Sequence, residues 1–407
     1  MKNQAAPESG CRRTMKRRLL MISYVDLGGS TAVSAHFLGL MREFARRGFA
    51  VQAILPRPRR GPPQELEGVR FCWTPNPQRP HLLSLLRFPL QLPAIIKACW
   101  SPPPAFVYLR YAPLVSLELW ALKWLRKLPR LRGLRLVLEV NGWDPDERQL
   151  SGAGAFKLWL LRRLHLYSAR TVDLIRVVTP GLKELLTQEG IEPGKIFVAG
   201  NGTDVERFVP LDKVQSRAAL GLEPDGLYVG FIGNLARWQG VDLLLRSVER
   251  VTRSVSGVKF LIGGGGPELE PLKQLAQELG VAAQVIFSGE VPYARAPRYI
   301  NCFDIGVAPF IIERNQRIGL SPLKIRDYAA CGVPIVSSRI SGLEMVEEQG
   351  MGLLAQPEDP KALAEALIRL LREPELRRAM GRRARAYAEG ELSWRVVAEE
   401  IVRQAGS

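Results

Sequence analysis

One short segment of the chain brings together residue types that can bind a diphosphate and a sugar. Ser321 followed by Pro322 is typical of a helix start, with Ser321 as the cap and Pro322 in the first turn. Lys324 falls within that turn, where free backbone N–H groups and the helix dipole already favour an anion. Asp327 follows on about the same face, and its carboxylate can accept hydrogen bonds from ribose hydroxyls. The spacing predicts a diphosphate site, although a surface helix with a solvated Lys–Asp pair would show the same pattern.

Glycine-rich turns follow strand-like runs at three points in the chain. They are Gly28-Gly29-Ser30, the loop that begins at Gly233, and the run from Gly263 to Gly266. Glycine lets the backbone approach a phosphate closely, and a helix start behind the turn adds a favourable dipole. Because four successive glycines are costly in chain entropy, the third turn predicts a place where a ligand comes close. The first turn lacks the G-x-G-x-x-G spacing of NAD-binding proteins.

Strand-like and helix-like segments alternate along the whole chain, which predicts two parallel sheets with helices on both faces. The predicted strands are 18–24, 49–55, 105–109, 134–140, 174–178, 196–199, 227–232, 258–262, 285–287, 305–308 and 333–336. The predicted helices after the midpoint are 241–251, 268–279, 360–371, 374–388 and 393–403. Residues 208–225 contain two prolines and several charges and are predicted to link the two halves.

Cysteine and histidine usage excludes several classes of protein. The five cysteines have no C-x-x-C spacing, and only three histidines occur, so neither a structural zinc site nor a disulfide framework is expected. Asp144-Pro145-Asp146 is interpreted as a surface turn rather than a pair of metal ligands. No apolar run reaches the roughly 18–20 residues of a membrane-spanning helix. The apolar run from Leu19 is interrupted by Asp26, which favours a first strand over a signal peptide.

The charge of the chain is strongly asymmetric. The net charge is +17, and residues 1–209 carry 32 Lys and Arg against 16 Asp and Glu, whereas residues 210–407 carry 25 against 24. Such an asymmetry indicates an anionic partner for the first half, either nucleic acid or an anionic membrane surface. Between Leu114 and Arg135, leucines and tryptophans alternate with basic residues, which is the composition of an interfacial membrane helix. A helix packed on its sheet with a basic solvent side would have the same composition.

In their order along the chain, these motifs resemble family 4 of the retaining glycosyltransferases. The resemblance rests on the Ser-Pro-Leu-Lys start at Ser321, on Cys331-Gly-Val-Pro before a strand, on Gly264-x-Gly-Pro-Glu, and on the Gly-Val-Asp that begins at Gly240. It covers roughly residues 18–405. It implies the GT-B fold, in which two Rossmann-like domains face each other across a cleft and the last helix crosses back to the first domain.

The resemblance also implies roles for individual residues. Arg237 and Lys324 are expected to bind the diphosphate, and Asn141 stands near the reaction centre, where many members have a histidine. The expected donor-binding residues are Gly28, Gly29, Ser30, Asn234, Gly264, Gly266, Val291, Leu320, Ser321 and Asp327. The chain departs from the family at Gly319, which takes the place of a glutamate, and at Asn234 and Gln239, which take the place of basic residues.

The domain organisation follows from the same comparison. Residues 1–16 are expected to form a disordered tail, 17–207 an acceptor-binding domain, 208–390 a nucleotide-sugar-binding domain, and 391–407 the returning helix. The expected activity is transfer of a sugar from a nucleotide-diphosphate sugar to a glycan or lipid-linked acceptor, in cell-surface polysaccharide or glycolipid synthesis. No metal, no other cofactor and no nucleic acid is expected, and the protein is expected in the cytoplasm at the inner face of the membrane.

Three alternatives remain open at this point. A sugar-nucleotide epimerase can share the fold but needs acid and base residues, and candidates for these are not evident in this histidine-poor chain. A catalytically silent relative that binds glycans or nucleotides would explain the departures at Gly319, Asn234, Gln239 and Asn141. A nucleic-acid-binding protein would explain the charge but not the glycine loops.

Overall fold

The computed structural model describes residues 17–28, 32–59, 65–76, 87–100, 102–149, 152–313 and 317–406. Two parallel sheets organise these residues. The first has seven strands in the order β3-β2-β1-β4-β5-β6-β7, and the second has six in the order β10-β9-β8-β11-β12-β13. In both sheets the chain reverses direction across the strand order, and such a point is where parallel α/β sheets bind ligands.

The first unit contains β1 to β7 and α1 to α6. Its strands are β1 (Arg18–Ile22), β2 (Ala50–Pro56), β3 (Val69–Thr74), β4 (Phe106–Arg110), β5 (Arg135–Val140), β6 (Leu174–Val177) and β7 (Ile196–Val198). Its helices are α1 (Ala32–Arg46), α2 (Arg87–Trp100), α3 (Val115–Leu125), α4 (Asp144–Gln149), α5 (Ala155–Thr171) and α6 (Pro180–Gln188).

The second unit contains β8 to β13 and α7 to α14. Its strands are β8 (Leu227–Ile232), β9 (Val258–Gly263), β10 (Val285–Gly289), β11 (Ile305–Ala308), β12 (Ile335–Ser338) and β13 (Gly352–Ala355). Its helices are α7 (Lys213–Ala218), α8 (Val241–Ser254), α9 (Leu269–Glu278), α10 (Ala296–Ile300), α11 (Leu323–Ala330), α12 (Met345–Glu348), α13 (Pro360–Arg372) and α14 (Pro374–Gly390). The chain then ends in α15 (Trp394–Gly406).

Helices cover both faces of the first sheet, so most side chains of its central strands are apolar and buried. On one face, α2, α3, α5 and α6 pack against β1, β4 and β5 in a common core. On the other face, α1 contributes Phe37 and Leu40, and α15 contributes Trp394 and Ile401 to the same cluster. The predicted return of the last helix to the first domain is therefore confirmed.

Several local predictions need correction. Strand β3 was not predicted, because it is an edge strand whose residues are mostly only partly buried and form no apolar run. The segment predicted as a linker contains α7, and Phe208 at its start is buried in the core of the second unit. The strand predicted at 333–336 is β12 and begins at Ile335. The predicted tail at 1–16, together with Gly29 and Ser30, lies outside the described residues.

The segment predicted as an interfacial helix forms α3, which buries Leu119 and Leu122 against the first sheet and leaves Trp120 and Trp124 half exposed. The helix therefore packs on its sheet and still presents aromatic side chains outward. Within the described part of the chain, no helix combines the length and the apolar character needed to cross a bilayer.

Candidate active site

A cavity of about 740 Å³ lies between the two units, at the carboxyl ends of their strands. Parallel strands bring the loops that follow them to one edge of the sheet, so both units present loops and helix starts to this space. The first unit lines it with Val33, Asn141, Val178, Thr179, Leu182 and Asn201. The second unit provides most of the lining, including Asn234, Gln239, the glycines 263–266, Glu290, Val291, residues 318–324 and Asp327.

Lys324 reaches this cavity from the second position of α11. Its Nζ donates a hydrogen bond of 2.6 Å to Gln239 Oε1 and lies 3.6 Å from the centroid of the Phe231 ring and 5.4 Å from that of Phe310. Burial lowers the pKa of this amine well below its ordinary value, and no carboxylate in the described chain forms an ion pair with it. A cation held without a counter-charge beside a helix N-terminus is suited to an anionic ligand.

The glycine loops after β8 and β9 hold each other in place through their backbones. Gly233 N donates to Gly263 O at 2.9 Å, and Gly264 N donates to Gly289 O at 2.7 Å. A Cβ on Gly264, whose φ is +153°, would lie 1.8 Å from Gly233 O. A Cβ on Gly233 would lie 2.9 Å from the Nζ of Lys324. Gly264 is therefore required by neighbouring backbone, a packing reason that the sequence prediction of ligand approach alone did not include.

The start of α11 differs from the prediction. Its N-cap is Pro322, which has no side chain to cap it, and the helix begins at Leu323. The Oγ of Ser321 instead accepts a hydrogen bond of 3.1 Å from the backbone N–H of Asn201, and the Asn201 amide donates to Ser321 O at 2.8 Å. Ser321 thus joins the two units. The first N–H groups of α11 are left without a side-chain cap.

Asp327 lines the cavity but is already engaged within the protein. Its Oδ1 accepts a hydrogen bond of 2.6 Å from Thr203 Oγ1. Burial raises the pKa of the Asp327 carboxyl to about 7, against the lowering effect of that hydrogen bond and of Arg326. Thr203 also pairs through its backbone with Leu392 and Trp394, where the chain returns to the first unit. The carboxylate therefore connects the helix of Lys324 to the crossing point between the units.

Asn141 is fixed by a buried ionic ladder across three strands. Arg110, Glu139 and Arg176 are neighbours in register on β4, β5 and β6, and both guanidinium groups bind the Glu139 carboxylate at 2.9–3.0 Å. Burial alone would raise the pKa of Glu139, but His36 and the two arginines lower it well below its usual range. An ionised carboxylate only accepts hydrogen bonds, so the Asn141 amide directs its nitrogen to Glu139 and its oxygen away from it.

The structure does not bring every predicted residue to the cavity. Asn141, Asn234, Gly264, Gly266, Val291, Leu320, Ser321, Lys324 and Asp327 line it. Arg237 is exposed in a single 3₁₀ turn outside the lining, and Gly28 binds Asp26 through its N–H at 2.8 Å, also outside the lining. Asp146 pairs with Arg317 at 3.2 Å across the two units. Among the described residues, no group of three or more His, Cys, Asp and Glu side chains is placed to hold a metal ion.

Two residues of the site were missed by sequence reasoning. Gln239 was noted only as the replacement of a basic residue, whereas its carbonyl oxygen positions the Lys324 amine. Thr203 was assigned no functional role from the sequence, whereas its hydroxyl donates a hydrogen bond to Asp327. Neither residue carries a local signal, because each acts through a partner that is distant along the chain.

Comparison with known proteins supports the two-unit arrangement. The family model described as "Glycosyl transferase 4-like domain" matches residues 31–202, and the model described as "Glycosyl transferases group 1" matches residues 226–373. The chain belongs to the group 1 glycosyltransferase family. The two matches fall on the two sheet-bearing units that enclose the cavity.

Individual proteins also resemble this chain in sequence or in fold. The D-inositol 3-phosphate glycosyltransferase of Segniliparus rotundus is 32% identical over 216 residues, which are 52% of this chain and 46% of the relative. The chain thus spans about half the length of the curated relatives it matches. Sucrose-phosphate synthase from Thermosynechococcus elongatus superposes with a TM-score of 0.73 at 18% identity, covering 95% of this chain and 98% of that one. Anabaena HepE in complex with UDP and glucose gives 0.71 at 16% identity, covering 96% and 99%. These structural similarities confirm the predicted GT-B fold.

Proposed function

We propose that this protein is a retaining glycosyltransferase that moves a sugar from a nucleotide-diphosphate sugar to a glycan or lipid-linked acceptor. The observation that carries the proposal is Lys324. Its amine projects from the first turn of α11 into the cavity between the units and has an amide and two aromatic rings around it instead of a carboxylate. A nucleoside diphosphate would supply the missing negative charge.

The second unit is the proposed donor site. The glycine loops after β8 and β9 leave backbone close to the cavity, and Glu290 and Val291 line it after β10. In this proposal the loop at Val291 contacts the nucleobase, the diphosphate lies against Lys324 and the uncapped N–H groups of α11, and the sugar points toward the first unit. The UDP complex of the structurally similar HepE supports a nucleotide in this cleft.

The chemistry proposed for the site needs no side-chain nucleophile and no metal. The bond between the anomeric carbon and the diphosphate oxygen breaks, and its electron pair stays on the diphosphate. The acceptor oxygen forms the new bond on the same face of the sugar, and its proton passes to a leaving phosphate oxygen. The negative charge that develops on the phosphate is stabilised by Lys324 and the helix N-terminus. Of the carboxylates that line the cavity, Asp327 already accepts a hydrogen bond from Thr203.

The first unit is the proposed acceptor site, where the oxygen of the Asn141 amide would accept a hydrogen bond from a sugar hydroxyl. The excess of positive charge in residues 1–209 supports an acceptor presented at an anionic membrane, at its cytoplasmic face. Such an acceptor would belong to the synthesis of cell-surface polysaccharides or glycolipids. Closure of the two units over the donor would exclude water and limit hydrolysis.

Calorimetric titration with UDP, GDP, ADP and their sugar conjugates tests the donor site. We expect micromolar binding of one nucleotide class and its loss in Lys324→Ala. Lys361→Ala is the matched control, because Lys361 occupies the same second position of its helix, α13, but is exposed and lies outside the cavity. Nucleotide binding should survive this substitution.

Three results would contradict the proposal. A folded wild-type protein that binds none of the nucleotides would refute the donor site. Equal loss of binding in both variants would show that general positive charge, and not Lys324, holds the diphosphate. A nucleotide sugar converted to its epimer without an acceptor would instead identify an epimerase.

A further inference from the structure

Three helices form one outer layer on the first unit. Helix α3 contacts both α2 and α5, and all three pack inward on the same core, through Ile95, Leu119 and Leu166 for example. Because the three helices share one inner side, their outward sides form a single surface. This surface faces away from the sheet.

Five aromatic side chains of these three helices are exposed, including Trp100 of α2. Four of them form two pairs of rings, and we call these four the aromatic face: Trp120, Trp124, Phe156 and Trp159. Their exposed fractions are 50%, 54%, 76% and 53%. The Trp120 and Trp124 rings are 6.2 Å apart, and the Phe156 and Trp159 rings are stacked at 5.9 Å. Large aromatic side chains are normally buried, so a cluster of them in solvent indicates a surface that meets a partner.

The charged side chains nearest to the rings of the aromatic face are basic. Lys127 Nζ lies 3.4 Å from the Trp124 ring centroid, and Arg163 lies 5.5 Å from that of Trp159. Lys97, Lys123 and Lys157 are also exposed on the same three helices. Helices α2 and α5 contain no Asp or Glu, and the one acidic residue of α3, Glu118, is buried. The partner must therefore combine negative charge with a medium that accepts aromatic rings.

A lipid bilayer with anionic headgroups meets both requirements. Tryptophan side chains favour the depth of the headgroups, because the ring is apolar and the indole N–H stays hydrated, while lysine and arginine bind the lipid phosphates. A second copy of this chain meets them poorly, because a two-fold contact through this surface would bring like charges together.

We propose that the aromatic face binds the surface of an anionic bilayer, with its rings among the headgroups and the surrounding lysines and arginines on the lipid phosphates. Helices α3 and α5 both start beyond the carboxyl ends of β4 and β5, which is the sheet edge that faces the cavity. Bound in this way, the protein would hold the cavity close to the membrane surface. The proposal names the surface that makes the membrane contact and does not depend on the identity of the donor.

Vesicle sedimentation tests the proposal on the full chain. We expect the wild type to bind phosphatidylcholine vesicles that contain phosphatidylglycerol and to bind pure phosphatidylcholine at least about tenfold more weakly. Replacing all four residues of the aromatic face by serine should weaken binding by about tenfold or more. The matched control is Leu211→Ser with Val214→Ser, which removes apolar side chains that are 42% and 49% exposed on the second unit. The control should bind like the wild type.

A charge variant separates the two parts of the interaction. Lys123→Gln, Lys127→Gln and Lys157→Gln together should weaken binding to anionic vesicles by roughly fivefold per charge and leave binding to neutral vesicles unchanged. All substituted residues are exposed, so circular dichroism should show the same fold in every variant. UDP binding by the serine variant should equal that of the wild type, which keeps this test separate from the test of the donor site.

Four outcomes would overturn the proposal. The wild type could fail to bind either kind of vesicle, or the serine variant could bind as tightly as its control. A wild-type dimer that becomes monomeric in the serine variant, with vesicle binding retained, would identify the face as an interface between copies. Binding to RNA that is lost in the serine variant, with no vesicle binding by the wild type, would assign the face to nucleic acid.

Discussion

Replacing Lys324 by methionine should weaken donor binding without lowering the stability of the folded protein. Methionine keeps the length of the side chain and its contact with Phe231, whose ring centroid lies 3.6 Å from Lys324 Nζ, but removes the charge. A hydrogen bond to a charged partner is worth about 1.5–3 kcal/mol. Loss of this contact with a diphosphate should therefore raise the Kd for the nucleotide by about tenfold to 150-fold. Calorimetry with the nucleotide identified in the panel above gives this ratio directly.

The same substitution should not lower the free energy of unfolding and should raise it at neutral pH. Burial lowers the pKa of Lys324 in the folded state below the value of 10.5 for an ordinary lysine, so the folded protein binds fewer protons at this site than the unfolded chain. This difference destabilises the wild type at neutral pH and fades as the pH rises toward 10.5. Lys324→Met should therefore be at least as stable as the wild type, with an advantage that shrinks at alkaline pH. Lys361→Met is the control. A methionine variant that binds the nucleotide normally, or that unfolds more easily at neutral pH, would refute the reasoning.

Three further predictions concern residues around the site. Burial raises the pKa of Asp327 from 3.8 to about 7, so the wild type should lose stability as the pH rises through this range. Thermal melts of Asp327→Asn should therefore show a flatter pH dependence than those of the wild type, and a higher Tm at alkaline pH. Gly264→Ala should lower the free energy of unfolding, measured with denaturant, by at least about 2 kcal/mol because its Cβ would overlap Gly233 O. In the control Gly265→Ala the Cβ would meet its nearest atom at 3.6 Å, so the loss should be less than about 1 kcal/mol. Equal losses in the two variants would contradict the geometry. Glu139→Gln should cost about 3–5 kcal/mol because it leaves buried arginine charge unpaired, whereas Glu206→Gln breaks an exposed pair and should cost less than about 1 kcal/mol. A Glu139 variant as stable as the Glu206 variant would contradict the buried ladder.

The sequence predicts best those elements whose signal is local. Strands β8 (Leu227–Ile232) and β11 (Ile305–Ala308) were predicted with their observed bounds, because each is a short apolar run in a fully buried strand. Strand β3 was missed, because an edge strand with partly buried residues alternates too weakly to stand out. Helix α7 was missed, because its six residues lie within a segment rich in proline and charge.

Among the residues of the site, too, only those with a local signal were predicted. The glycine loops and Lys324 were predicted, because glycine runs and a helix start are visible over a few residues. The contact of Gln239 with Lys324 joins residues 85 positions apart, and the ladder through Glu139 exists only when β4, β5 and β6 are aligned in register. Such contacts depend on the tertiary structure, so a single sequence gives no sign of them. The position of α5 beside α3 was not predicted either, for the same reason.

Transfer of a labelled sugar tests the central claim most directly. The protein is incubated with a membrane extract and the radiolabelled nucleotide sugar selected by the binding panel, and the label in lipid and glycan fractions is compared with the nucleoside diphosphate released. We expect equal amounts of both, dependence on the extract, the same anomeric configuration in product and donor, and loss of transfer in Lys324→Met. Binding of the donor without any transfer or release would contradict the claim that this cavity is catalytic, and a product of inverted configuration would contradict the proposed mechanism.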